Sequence, residues 1–354
     1  MSAVSPAPVL AVAGSFSIDS ILAPDGRPVV GKVGGNALWS SLGALICGLA
    51  PRVLAIVGND YPGHVLDILT NAGLDTRSIK KIDRPHPVRV TFAHLPDGSR
   101  IQPVPDHMIR QLPEDVQAAF VDTTSRPDIL PLGAPTAKDV PADWLTEADF
   151  WHLPLLPLHR HRELVAHLGK ASGYLQSDCP ARSDLIENPF AKLSETLGAL
   201  DVFLPSTSDF DVIAPLAAIP EILQRLTDIG ARTVVLKAGA DGVFVKDGDA
   251  LWRVPAYPGS PVDPTGAGDT FCGGFLAGMA LTGDLVEAAA LGSAAASFAV
   301  ATADPLDLVA IAPEQTRERA KQLRAAAERL DGSARSLSPV PAGAAALSNT
   351  TVNS

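Results

Sequence analysis

The stretch Asp263-Pro264-Thr265-Gly266-Ala267-Gly268-Asp269-Thr270-Phe271-Cys272-Gly273-Gly274-Phe275 opens a helix predicted over Gly266–Leu281. Pro264 biases Asp263 toward an extended conformation. Thr265 is a good helix cap. Gly266, Ala267 and Gly268 then place small residues in the first turn, so nothing screens the backbone N–H groups. A helix start of this kind binds anions through free donors and the positive end of the dipole. Asp269 falls within that turn or just after it. An anion hole beside a carboxylate is the pairing that phosphoryl transfer to an alcohol requires. The N–H groups take up charge developing on the phosphoryl oxygens. The carboxylate accepts the proton of the attacking hydroxyl. Asp269 needs no raised pKa for this role: near its ordinary value of about 4 it is already ionised at neutral pH. Gly273 and Gly274 interrupt the helical pattern, each at about 1 kcal/mol relative to alanine. Gly273 lies four residues after Asp269 on the same face, bare to a ligand or another backbone. Taken alone, the stretch also fits a capped helix packed on a sheet, with Asp269 merely favourable near the dipole.

Working outward, Val9–Gly14 and Val53–Val57 read as buried strands, with a helix over Asn36–Leu49 between them. That is a β-α-β unit and implies a parallel sheet. Tyr61–Ala72 reads as a helix ended by Gly73. In Val88–Pro103 the period changes: Val88, Val90 and Phe92 alternate with Arg89, Thr91 and Ala93, and Pro96-Asp97-Gly98 turns the chain. With Val29–Val33 this hairpin forms a small sheet, read as a lid. Residues 106–145 are Pro-rich, with a helix expected near Pro113–Phe120. Strands are expected at Phe150–Leu156, Gly173–Ser177, Asp201–Leu204 and Thr233–Lys237. Gly242–Val245 and Ala250–Val254 flank a second hairpin. Helices follow at Leu285–Ala301 and Pro313–Leu330. Residues 333–354 are low in complexity and expected to be disordered.

The 354 residues bound the architecture at about two domains, or one large α/β unit with an appendage. A net charge of −11 argues against a nucleic-acid partner but leaves room for a locally positive pocket. Cys47, Cys179 and Cys272 are far apart, with neither CxxC nor Cys/His spacing, so neither a disulfide framework nor a zinc cluster is expected. No apolar run reaches the roughly 20 residues of a membrane span, and the N-terminus lacks signal-peptide patterning; a cytoplasmic protein without membrane partners is expected. The sequon at Asn349 carries no weight in that setting. Walker and dinucleotide glycine loops are both missing.

At this length the segment Asp263–Gly274 resembles the C-terminal signature of the ribokinase-like (PfkB) carbohydrate and nucleoside kinases. Other stretches resemble the family in the same order. Gly14-Ser15-Phe16-Ser17-Ile18-Asp19 is similar to its first strand and substrate-binding aspartate. Gly34-Gly35-Asn36-Ala37 is similar to the diglycine before its first long helix. Gly58–Gly63 resembles its G-x-D-x-x-G turn, and Lys237–Gly242 its nucleotide segment. The resemblance covers about residues 9–300. It implies an α/β/α three-layer sandwich with a mainly parallel sheet and a small β lid, the lid pieces at about 20–34 and 86–105 inserted in one domain, 1–332. It implies transfer of the ATP γ-phosphate to a hydroxyl of a sugar-like substrate or a nucleoside, with Mg²⁺ held mostly by phosphates and water. Asp269 would be the base and Gly266, Ala267 and Gly268 the anion hole. Asp19, Gly34, Gly35 and Asn36 would serve the substrate, and Lys237, Gly239 and Gly242 the nucleotide.

Each role has a structural rival: Asp19 as a turn former, Gly34-Gly35 as a connection, Asn36 as a helix cap, Lys237 in a surface pair, Gly239 and Gly242 shaping a hairpin. His86, Arg89 and Arg100 in the lid meet either a charged substrate group or water. Two departures stand out. Ser206-Thr207-Ser208-Asp209 replaces the family's Asn-x-x-Glu, leaving Asp209 to keep an indirect acidic role toward the metal. Trp39 stands where many sugar kinases place a substrate-binding asparagine, and either stacks on a ring or packs the core. A member that has lost catalysis and only binds sugar or nucleotide is the remaining alternative. The family often dimerises through lid strands, so Val88, Val90 and Phe92 either seek a partner copy or cover the chain's own site.

Overall fold

The computed structural model describes residues 7–95, 100–171 and 173–330. The Pro96-Asp97-Gly98 turn and the tail 333–354 lie outside the described residues. Among the described residues fourteen strands run in chain order: β1 Leu10–Ala13, β2 Ser17–Leu22, β3 Pro28–Gly34, β4 Arg52–Val57, β5 Ile79–Lys81, β6 Arg89–His94, β7 Arg100–Ile101, β8 Phe150–Leu153, β9 Tyr174–Asp178, β10 Val202–Leu204, β11 Thr233–Lys237, β12 Val243–Asp247, β13 Ala250–Val254 and β14 Glu328–Arg329. Ten form one sheet in the order β14-β13-β12-β11-β10-β9-β8-β1-β4-β5, and four form a second in the order β3-β2-β6-β7.

From β11 to β5 every neighbouring pair in the large sheet is parallel; β12, β13 and β14 extend it antiparallel. The side-chain period of two explains why its strands are apolar on both faces. In β1, Leu10 and Val12 join the core under helices Asn36–Leu45, Ala267–Thr282 and Leu285–Ala299. Ala11 and Ala13 join the opposite core, under Leu158–Leu168, Pro189–Leu197 and Ile219–Asp228. The three layers expected from the resemblance are therefore present.

Several boundaries differ from the sequence reading. The first strand ends at Ala13 and the chain crosses to the small sheet at Ser17, so the lid begins earlier than residue 20 and Asp19 belongs to it. The last helix stops at Ala325, and Glu328–Arg329 returns as an edge strand beside β13. The helix expected near Pro113–Phe120 shrinks to Glu114–Gln117. Val88 and Phe92 are buried inside the chain, whereas Val29 and Val30 on the lid's edge strand are exposed.

Candidate active site

Strands β9, β10 and β11 all end on one side of the large sheet, the side where open α/β sheets place their ligands. The signature helix begins there. Its N-cap is Gly266, with φ 77°, not Thr265, whose N–H is instead bonded to Asp263 Oδ1 at 2.8 Å. A β-carbon on Gly266 would lie 2.2 Å from the Trp39 ring, so both the backbone conformation and the space require glycine. Trp39 is therefore a packing residue, 3% exposed, moulded against the anion turn. Among the described residues the N–H groups of Gly266, Gly268 and Asp269 make no hydrogen bond, while that of Ala267 turns back to Pro264 O at 3.3 Å. The free donors at this helix start are thus Gly266, Gly268 and Asp269 rather than Ala267. Gly273 and Gly274 admit neighbouring helices rather than a ligand: their β-carbons would stand 1.7 Å from Ser40 O and 2.8 Å from Ala295 Cβ.

Asp269 is half-buried in the first turn of the signature helix. Burial pushes its carboxyl up to about 7; Asp178 and Asp209 push the same way and Lys237 opposes them. The expectation of an ordinary carboxylate is corrected, because burial desolvates this one and two further carboxylates act on it. Lys237 is buried at the end of β11, its Nζ donating to Asp178 Oδ2 at 2.8 Å and to Cys272 Sγ at 3.3 Å. Burial acts to lower the Lys237 pKa, but Asp178 and Cys272 more than offset this and hold it above the ordinary lysine value. Lys237 is thus no surface residue: its Nζ lies 3.7 Å from the position of a Gly268 β-carbon. Sequence reading missed Asp178. Its place at the carboxyl end of an expected strand was the one available signal.

Asp209 is spent on its helix: its Oδ2 accepts the N–H of Ser206 at 2.8 Å and the Ser206 hydroxyl at 2.9 Å. The described residues contain no group of three or more His, Cys, Asp or Glu side chains able to hold a metal. The described residues therefore form no metal cage of their own. Asp209 caps its helix through Oδ2, while its Oδ1 lies 4.0 Å from Arg182 Nε.

On the lid side, Asp19 sits at a register shift in the β2–β3 ladder, a device that re-aims side chains next to sites. It is 6% exposed, and its Oδ1 is buried without a partner. Burial pushes its carboxyl up to about 6, against the pull of Ser17, Lys32 and Arg100. Gly34 lies against it, since a β-carbon there would stand 2.6 Å from Asp19 Oδ2. Gly35, at φ 103°, leaves no room for a side chain beside Ser15 O and Phe16. Lys32 reaches Asp263 at 3.7 Å, joining the lid to the signature loop. Asn36 is not free for substrate: Oδ1 accepts Ser15 N–H at 2.9 Å and Nδ2 donates to Leu155 O at 2.6 Å.

Gly239 opens a short turn after β11 with open space around it, whereas Gly242 lets the chain pass Val254 O, 2.1 Å from a would-be β-carbon. Gly242 is thus a hairpin glycine. His86 and Arg89 do not meet a ligand either. His86 Nδ1 accepts Gly58 N–H at 3.1 Å and its Nε2 faces Phe16 O at 3.1 Å, while Arg89 pairs with Asp60 of the Gly58–Gly63 turn. Burial pushes His86 down to about 4, so it is neutral at pH 7.

A helix start with free N–H groups beside a half-buried acid, at the strand ends of a three-layer sandwich, is an arrangement suited to a small-molecule kinase. Residues 10–307 match the model of the pfkB family carbohydrate kinases, and the chain belongs to that family of phosphotransferases acting on an alcohol group. A cytidine kinase of Thermococcus kodakarensis is 26% identical over 286 residues, spanning 80% of this chain and 92% of that protein. A nucleoside kinase of Methanothermobacter thermautotrophicus is 26% identical over 277 residues, 75% of this chain and 78% of that protein. The structure of Arabidopsis thaliana ribokinase complexed with ribose and ATP superposes with TM-score 0.65 at 16% identity, over 89% of this chain and 99% of that one, a likeness of fold. No described helix is long and apolar enough to cross a membrane.

Proposed function

We propose that the protein transfers the γ-phosphoryl group of ATP to a hydroxyl of a sugar-like substrate. The observation that carries this reading is the free N–H row of Gly266, Gly268 and Asp269 next to the Asp269 carboxylate. The acceptor hydroxyl docks from the lid side, where the unpartnered Asp19 oxygen accepts one of its neighbours. Asp269 takes the hydroxyl proton as the oxygen attacks phosphorus, and the helix start takes the charge gathering on the phosphoryl oxygens. Lys237 serves the phosphoryl group in transfer, and the turn at Gly239 serves the nucleotide phosphates. Magnesium would arrive on the phosphate oxygens and water, since the side chains present build no cage for it.

A nucleoside acceptor is the second reading, favoured because two relatives aligned over most of the chain are nucleoside kinases. The lid's edge strand, with Val29 and Val30 exposed, is the face for a homodimer, which light scattering tests. The deciding experiment is an ATP-consumption screen of pentoses, hexoses, sugar acids and nucleosides, run on wild type and Asp269→Asn. Turnover of the best acceptor is expected to fall by at least roughly 100-fold in the variant. A change within threefold removes Asp269 from the mechanism. Acceptor binding without turnover in either protein makes the chain a binding module instead.

A further inference from the structure

Asp178 belongs to none of the recognisable motifs, yet both of its oxygens are committed. Oδ1 accepts Cys179 N–H at 2.7 Å and Oδ2 accepts Lys237 Nζ at 2.8 Å. The strand that carries it is clamped between β8 and β10. The carboxylate is thereby a fixed point, and the lysine is the flexible partner, a compact charge on a four-carbon stem. An ammonium has three protons. One goes to Asp178 and one to Cys272 Sγ at 3.3 Å; the third has no partner among the described residues. The same Nζ stands 3.7 Å from the β-carbon position of Gly268, whose N–H is one of the free donors of the anion turn.

A buried ion pair is seldom a stability device, because apolar residues of similar volume do as well or better. Here it sits where a phosphoryl group gains negative charge. We propose that Asp178 is a positioning residue for phosphoryl transfer: it tethers the Lys237 ammonium beside Gly268, so that the third ammonium proton meets the phosphoryl oxygens as charge gathers on them. Asp178 touches neither donor nor acceptor; it acts through Lys237. The inference rests on the phosphotransfer reading above and deepens it.

The test is a double-mutant cycle on the wild-type activity found in the acceptor screen. Lys237→Met is expected to lower kcat by about 100-fold, the scale of one lost transition-state donor, with KM for ATP within threefold. Asp178→Asn is expected to lower kcat at least tenfold, again at little-changed KM. The double variant should be no more than threefold slower than Lys237→Met alone. Losses that multiply would mean that Asp178 acts on something else, and a rise in KM at unchanged kcat would make Lys237 a ground-state grip; either overturns the proposal. A second readout separates positioning from a merely structural part. Asp269 is faced by Asp178, Asp209, Lys237 and Cys272, and Asp178 is the largest of the charges that raise it. Asp178→Asn should therefore move the acid limb of kcat/KM to lower pH, and an unmoved limb counts against the proposal. If Asp178→Asn does not fold, Asp178→Glu replaces it, keeping the charge but shifting it by one methylene; wild-type kcat in that variant overturns the tether. A wild-type protein that transfers no phosphate to any acceptor sinks the kinase reading instead, before any variant is compared.

Discussion

At the residue scale, Asp269, the proposed base, works against its own fold. Asp269 in the folded chain holds its proton up to about pH 7, against about 4 in an unfolded chain. Such a group binds protons more tightly when folded. Its stabilising contribution is present at low pH and is lost as pH rises from about 4 to about 7. Asp269→Asn has no such titration. The melting-temperature difference between variant and wild type, negligible near pH 4, should open in the variant's favour up to about pH 7 and stay level above. A difference that is flat across that window would mean that the carboxyl is not desolvated in solution. In the proposed mechanism the same ionisation acts in the opposite sense, because only the carboxylate accepts a proton. The kcat/KM of wild type is therefore expected to rise through about pH 7, read from steady-state rates on the best acceptor.

Among the elements, helices Asn36–Leu45 and Ala267–Thr282 cross backbone against backbone. A β-carbon on Gly43 would stand 2.2 Å from Thr270 O, and one on Gly273 would stand 1.7 Å from Ser40 O. Both obstacles are backbone, which a rotamer change cannot relieve. Overpacked cores lose about 1–3 kcal/mol, and Gly273→Ala should fall at or beyond the top of that range in urea unfolding. Because this crossing also presses Trp39 against Gly266, the variant should lose turnover as well as stability. The pattern of small residues from Gly266 to Gly274 was legible in the sequence. Which of them served a phosphate and which served a neighbouring helix was not, since that depends on what lies across from each one.

On the scale of the whole molecule, the chain is a large sandwich plus a lid with its own small core of Leu22, Ala93, Val104 and Phe120. Residues 106–124 hold the lid from behind: Phe120 fills this core, and Asp122 Oδ2 accepts Thr91 N–H at 2.7 Å. The segment that composition left unassigned thus has a place. Phe120→Ala should loosen the lid locally, by about 3–5 kcal/mol if the site does not collapse. Hydrogen exchange should then quicken in β2 and β6 while the two cores of the large sheet stay protected. Equal quickening throughout would show that the lid is not a separate unit.

The chain's own order of residues determined whatever is local or periodic: the apolar strands, the glycine-opened helix, the acid in its first turn and the extent of the sandwich. These follow from neighbours a few residues apart, where propensity and spacing act directly. Only tertiary structure decided that Asn36, His86 and Arg89 spend their polar atoms on the fold. It also decided that Asp178 meets Lys237, 59 residues away, beneath a helix that begins later still. Charge and hydrogen-bonding capacity can be read residue by residue, but their use depends on which partner arrives. Long-range packing sets the partner, and in this cleft it raised the proton affinity of the very carboxylate that the sequence had marked as ordinary.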